Sequence, residues 1–229
     1  MSATRLLLLR HGRTAWNDAA RIQGQADAPL DEVGHAQARA VAPVVAAMRP
    51  DVLWSSDLSR AADTASYLAQ AAGLVLVRDR RLRETGLGER QGTTHADYVR
   101  EHPEEYAAFR AGDFDVVPGG ERGADVRERM VSALRDLLDA VPAGGLGVAV
   151  THGHAAKHAV AGLLGWPPEA HLGLHGLDNC GWALLDRPSG DAPPGPLRLR
   201  AWNQHLDAVP DPRPAPLPTP DFDSSAGCC

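Results

Sequence analysis

The 229-residue chain is 44% apolar and 23% charged, which is enough to bury one large core, and a single folded domain is expected over 1–208. Its formal charge of -6 and pI near 5.9 argue against a nucleic-acid or anionic-membrane surface, since either needs a basic field; any anion site must be local. No charged leader precedes a long apolar run, so a cytoplasmic protein is expected. Of the three cysteines, Cys180 lies in the body while Cys228 and Cys229 are the last two residues, and no internal disulfide framework or cysteine metal spacing is present. Lys157 is the only lysine, and with abundant Ala, Gly and Pro this suggests bacterial, high-GC coding.

Leu6 to Leu9 is an apolar run without alternation, which suits a strand covered on both faces, and it stops at Arg10-His11-Gly12-Arg13-Thr14. The carboxyl ends of such strands are where α/β sheets bind ligands. Asp31 should cap a helix running to Met48, with Pro43 kinking or breaking it. Val52 to Trp54 reads as a second strand, and polar Ser55 to Arg60 leads into an alanine-rich helix from about Ala61 to Ala72. Leu74 to Val77 reads as a third strand, followed by a loop carrying Glu84. Two helical segments part at Pro103, and Thr93 to Gly120 is expected to form a helical cap over the strand ends. Val126, Met130, Leu134 and Leu137 mark an amphipathic helix from Asp125 to Ala140. Gly147 to Val150 is a fourth strand ending at Thr151-His152-Gly153-His154, with a helix from Ala155 to Leu164. Strands near Trp182 to Leu185 and Leu197 to Trp202 close the body. The pattern predicts an α/β three-layer sandwich, a largely parallel central sheet flanked by helices. From Val209 the prolines at 210, 212, 214, 216, 218 and 220 suggest an extended, disordered tail.

Three predicted strands thus end in polar loops suited to one phosphate. Arg10 and Arg60 offer guanidinium forks, His11 and His152 offer imidazoles, and Glu84 offers a carboxylate. Each has a bland alternative as a solvated loop or strand-end residue, and only their joint arrangement favours a pocket.

Arg10-His11-Gly12, Ser55-Ser56-Asp57-Leu58-x-Arg60-Ala61-x-x-Thr64-Ala65, Leu82-x-Glu84-x-x-x-Gly88, Pro118-Gly119-Gly120-Glu121 and His152-Gly153 follow in the order seen in the histidine phosphatase superfamily, also called phosphoglycerate-mutase-like. The sequence resembles that superfamily over about Arg5 to Leu206. Arg21-x-Gln23-Gly24-Gln25, Leu82-Arg83-Glu84-Thr85-x-Leu87-Gly88 and Gln91-Gly92-x-Thr94-His95 look most like its glucosyl-3-phosphoglycerate phosphatase branch. The resemblance implies a phosphomonoesterase acting on a small phosphorylated metabolite, such as that or another sugar or glycerate phosphate, through phosphohistidine on His11. Arg10, Arg60 and His152 would surround the phosphoryl oxygens, and Glu84 would be the general acid and base. A free glutamate titrates at about 4.3, so this role requires help from burial or from the substrate's charge. Asn17, Gln23, Gly24, Thr14, Gly153 and His154 match the substrate side. No metal or cofactor is implied.

His154 stands where many relatives carry a small residue, Arg90-Gln91 replaces an aromatic-acid pair, and Arg122 follows Glu121 in place of serine; these departures bear on the leaving group. The same resemblance leaves a phosphoglycerate mutase as the alternative, but the family's mutases carry a longer insertion between acid and second histidine than the 68 positions from Glu84 to His152. A metallohydrolase built on His152-x-His154 and His158 has the spacing but lacks nearby carboxylate ligands, and a non-catalytic phosphate binder has no use for both nucleophile and acid. A homodimer through an edge strand is possible.

Overall fold

The computed structural model describes residues 4–187 and 196–206, so the proline-rich tail lies outside the described residues. In chain order the elements are β1 (Thr4–Arg10), the single turn α1 (Ala15–Asp18), α2 (Glu32–Ala47), β2 (Val52–Ser55), α3 (Ser59–Ala72) and β3 (Leu76–Arg78). Then come α4 (His95–Glu101), α5 (Pro103–Arg110), α6 (Gly123–Ala140), β4 (Leu146–Thr151), α7 (Gly153–Leu163), β5 (Trp182–Arg187) and β6 (Arg198–Gln204). Short 3-10 turns occupy Arg80–Leu82, Gly88–Arg90 and Pro168–Gly173.

The six strands form one sheet in the order β3-β2-β4-β1-β5-β6. β3, β2, β4 and β1 run parallel, and β5 is antiparallel to both β1 and β6. The leucine run sits at the centre. Because side chains alternate across a strand, Leu6 and Leu8 pack against α6 and α7 while Leu7 and Leu9 pack against α2 and α3. All four are fully buried, each contributing about 1.5–3 kcal/mol of transfer free energy, which anchors β1 between two helical layers. On β4 the residues facing α6 are small. A Cβ at Gly147 would lie 2.3 Å from Leu137 Cδ2, so only glycine lets α6 approach this closely.

Asp31 caps α2 by accepting from the Gly34 amide at 2.7 Å. Pro43 does not end that helix. It lies on the exposed face, where the carbonyl it leaves without a helical donor can be solvated, and α2 continues to Ala47. β3 begins later than its apolar run suggests. Gly73 at φ 67 closes α3, and the Leu74 amide still bonds back to Ala69, so only Leu76 onward can pair with β2. α4 and α5, parted by Pro103, carry a separate apolar cluster of Ile22, Leu87, Tyr98, Phe109 and Val117. No helix among the described residues is long and apolar enough to cross a membrane.

Candidate active site

Register places the two central histidines together. Arg10 pairs with Thr151 in the parallel β1–β4 ladder, so His11 and His152, one step beyond, are neighbours with ring centroids 5.1 Å apart. The His11 amide bonds the Thr151 carbonyl at 3.1 Å, and both imidazoles are buried.

The His11 ring has one defined tautomer. Its Nδ1 lies 2.7 Å from the Gly12 carbonyl, an obligate acceptor, so Nδ1 carries the proton and Nε2 the lone pair. Nε2 in turn accepts from Arg60 Nε at 3.3 Å. Burial, then the charges of Arg60 and Arg10, hold the His11 pKa well below 6.5 against the opposing pull of the Gly12 carbonyl, and the ring is a neutral nucleophile.

Arg60 enters from the first turn of α3 and is fully buried. Its NH1 and NH2 groups donate to the carbonyls of Ala26 and Gly24, both at 2.8 Å, which fixes the fork against the loop after α1. Burial lowers its pKa to about 10, countered by Glu84 and Asp27, so it stays charged at neutrality. Arg10 is held through NH1 to the Leu177 carbonyl at 2.6 Å. His152 has no hydrogen-bond partner at either ring nitrogen among the described residues, and burial followed by Arg60, His11 and Arg10 keeps it neutral. Two neutral imidazoles thus lie beside buried or half-buried guanidiniums, a combination whose chemistry suits an oxyanion.

Glu84 lies at the amino end of α7. His152 is the N-cap by backbone position, yet its side chain makes no capping bond. The Glu84 carboxylate caps instead: Oε2 accepts from the His154 amide at 3.1 Å, and Oε1 accepts from the Ala155 amide at 2.8 Å and from Thr85 at 2.9 Å. The amides of His154 and Ala155, at the second and third positions of the helix, are the ones an aspartate N-cap would satisfy, and the helix dipole adds to the attraction. The His152 ring is thereby left to face His11. Glu84 is half-buried, and its carboxylate takes three amide donors.

The remaining predicted residues divide. Asn17 Oδ1 accepts from the Thr14 amide and hydroxyl, both at 3.1 Å, and from Asn179 Nδ2 at 3.4 Å. Thr14 therefore acts as the fully buried capping partner of Asn17 and does not offer its hydroxyl outward. Gly24, at φ +55, presents its carbonyl to Arg60, and a Cβ there would meet Gln91 Oε1 at 2.3 Å. Gln23 has a buried Oε1 with no partner among the described residues. Gly153 lies against Arg10, a Cβ there standing 3.5 Å from Nε. His154 enters the site only through its amide. Its ring turns away, with Nδ1 2.7 Å from Thr85 Oγ1 and its centroid 3.8 Å from that of Phe114. The spacing His152-x-His154 thus does not bring those two rings together, because residues two apart at a helix start do not share a face.

Several supports escaped the sequence reading. The Thr64 hydroxyl accepts from the Gly12 amide at 3.0 Å and donates to the Arg60 carbonyl at 2.7 Å, tying β1's loop to α3. Thr64 stood within a quoted motif, but nothing in the sequence told which group it would hold. Arg129, on the polar side of α6, bonds the carbonyls of Arg81, Arg83 and Glu84 and the Glu121 carboxylate, and Glu121 also accepts from the Gly86 amide. Asn179 donates to the His11 carbonyl at 3.0 Å.

A sequence model of the histidine phosphatase superfamily (branch 1) matches residues 6–199, and the chain belongs to that superfamily. The glucosyl-3-phosphoglycerate phosphatase of Mycobacterium tuberculosis is 38% identical over 213 residues, covering 89% of this chain and 96% of the relative. A solved structure of mycobacterial glucosyl-3-phosphoglycerate phosphatase in complex with VO3 superposes with a TM-score of 0.81 at 38% identity, over 87% of this chain and 98% of that one. A protein of Yersinia enterocolitica named as a probable phosphoglycerate mutase is 37% identical over 183 residues, 79% of this chain and 84% of the relative.

Proposed function

We propose that the chain is a phosphomonoesterase that works through a phosphohistidine on His11 and acts on a phosphoglycerate-type metabolite, glucosyl-3-phosphoglycerate being the first candidate. The observation that carries this reading is the His11 ring itself: Nδ1 donates to Gly12, and the Nε2 lone pair is aimed at the Arg60 guanidinium, where a phosphoryl group would sit.

In the first step the Nε2 lone pair forms a bond to phosphorus as the bond from phosphorus to the substrate oxygen breaks, and Glu84 gives its proton to that oxygen. The positive charge left on the His11 ring is met by the Gly12 carbonyl. Arg10, Arg60 and His152 hold the phosphoryl oxygens in both steps, where positioning and charge stabilisation carry most of the catalysis. In the second step Glu84 takes a proton from water as the oxygen–phosphorus bond forms and the nitrogen–phosphorus bond breaks.

A cavity of about 360 Å³ lined by Arg10, Arg13, Trp16, Asn17, Arg21 and Asn179 adjoins the phosphate pocket. Arg13 there is paired with Asp18 and Asp31, each at 2.9 Å, while Arg21 donates through NH1 to the Gly92 carbonyl and stands over the Trp16 ring at 5.8 Å. A carboxylate such as that of glycerate suits the remaining donors of Arg21. The short span between Glu84 and His152 favours hydrolysis over a mutase. For assembly, the β3 edge, with exposed Val77 on the strand and exposed Val75 just before it, is the surface offered to a second copy, and the location proposed for the protein is the cytoplasm.

A hydrolysis screen over glucosyl-3-phosphoglycerate, the phosphoglycerates, sugar phosphates and nucleotides tests the assignment. Phosphate release should be fastest from glycerate-type monoesters. Interconversion of phosphoglycerates outrunning phosphate release would place the chain among the mutases.

A further inference from the structure

We propose that His154, His158 and His171 form a binding site for one divalent transition-metal ion of the zinc class, outside the phosphate pocket. His154 and His158 are four apart on α7, one turn of helix, and so share a face; His171 comes from the 3-10 turn Pro168–Gly173. One ligand nitrogen from each ring lies within 4.8 Å of the others.

Three observations distinguish this trio from aromatic packing. All three Nε2 atoms are buried and have no hydrogen-bond partner among the described residues, so without a ligand each would bear the full desolvation penalty of an unmet polar group. The His171 tautomer is also set for ligation: Nδ1 lies 2.5 Å from the Pro168 carbonyl, so it carries the proton and Nε2 keeps its lone pair. His154 Nδ1 has the Thr85 hydroxyl at 2.7 Å, the type of outer contact that orients a ligating imidazole.

The surrounding charges are mixed. His158 and His171 line a cavity of about 1000 Å³ whose wall also holds Asp113, Asp115, Glu128, Asp136 and Glu169 against Arg127 and Arg135. The nearest positive charges are Lys157, Arg127 and Arg129, which oppose a dication, so the imidazole donors must carry the affinity. Three imidazole nitrogens select zinc, cobalt, nickel or copper over magnesium or calcium, and leave a fourth position facing the cavity for water or a carboxylate. Tetrahedral zinc places its nitrogen ligands roughly 3.4 Å apart, so the rings would close by an ångström or so through χ rotation. A bound ion would then tie α7 to the Pro168–Gly173 turn beside Phe114, which stacks on His154.

The test uses the full chain with Cys228→Ser and Cys229→Ser, so that thiols cannot ligate, stripped with chelator and titrated with Co²⁺. The expected result is a visible ligand-field band saturating at one ion per chain, displaced by Zn²⁺, with Zn²⁺ raising the melting temperature. His171→Gln and His158→Gln should each weaken binding by about a hundredfold or more, with far-ultraviolet circular dichroism reporting that they fold, while His11→Ala leaves the band intact. Absence of the band in the parent protein overturns the proposal, and so does its survival in both glutamine variants. Displacement of the ion by inorganic phosphate would move the site to His11 and His152, and would likewise overturn it.

Discussion

Two groups of buried imidazoles meet at the start of α7, and their neighbours give them opposite preferences. His11 and His152 face Arg10 and Arg60, whose guanidiniums exclude a cation and draw an anion. His154, His158 and His171 turn to the other side of the helix, where three ring nitrogens converge on one another beside a cavity richer in carboxylates. Burial lowers the pKa of His11, His152, His154 and His158 alike, so burial does not separate the groups. What separates them is what their ring nitrogens face: the Arg60 guanidinium for His11, and one another for the trio.

The largest expected effect breaks the first group alone. His11→Ala should cost roughly 10⁵- to 10⁶-fold in turnover, the scale seen when a nucleophile is removed, with the melting temperature near that of the parent and the histidine trio unaffected. Parent protein quenched in alkali should retain phosphate on His11. Substantial activity in the alanine variant would rule out phosphohistidine.

Glu84→Gln comes next. General acid–base assistance is worth about 10²- to 10⁴-fold, and that loss should appear on an alkyl monoester, whose oxygen needs a proton, far more than on an activated aryl phosphate. With the aryl substrate, slow dephosphorylation should leave a burst of phenol. The amide of glutamine also places an NH₂ among the donors of His154, Ala155 and Thr85, so a modest fall in melting temperature is expected. Equal losses on both substrates without a burst, in rapid-quench kinetics, would reduce Glu84 to a cap for α7.

Much of the first group was legible in the sequence, because strand ends can be read from apolar runs and the residues that follow Leu9 and Val150 are necessarily neighbours once those strands pair in parallel. The cap on α2 was legible from Asp31 for the same local reason. The trio was not. His154 and His158 show their shared face by spacing, but His171 reaches them only through the path of the chain after Pro167, whereas spacing alone groups His152 with His154. Glu84's capping of α7 was equally hidden, since it joins positions about seventy residues apart and replaces a bond that His152 would be expected to make. Arg129 sat on the polar face of an amphipathic helix, where solvation is the ordinary expectation.

Thr64→Val sharpens the contrast at smaller scale. The hydroxyl holds the Gly12 amide, and Gly12's carbonyl fixes the His11 tautomer. Its loss should reduce kcat by about tenfold with KM little changed, and Thr64→Ser should restore most of it. A change confined to KM, or no rescue by serine, would show that Thr64 only packs.

The smallest expected effect is in the pH profile, and it tests the sign of the electrostatics directly. A lowered pKa means that His11 stays neutral, and so nucleophilic, as pH falls through the ordinary imidazole value of 6.5; only well below it would protonation remove the lone pair. The dianion of a phosphate monoester takes up its first proton near pH 6, and Arg10 and Arg60 favour the dianion. The acid limb of kcat/KM should therefore belong to the substrate. Two aryl phosphates that differ in their second pKa should show limbs displaced by that difference, and the His11 ring resonance in the free protein should not move between pH 8 and 5.5. A limb fixed near 6.5 with both substrates, accompanied by titration of that resonance, would mean that water reaches His11 and that burial between β1 and β4 does not hold it neutral.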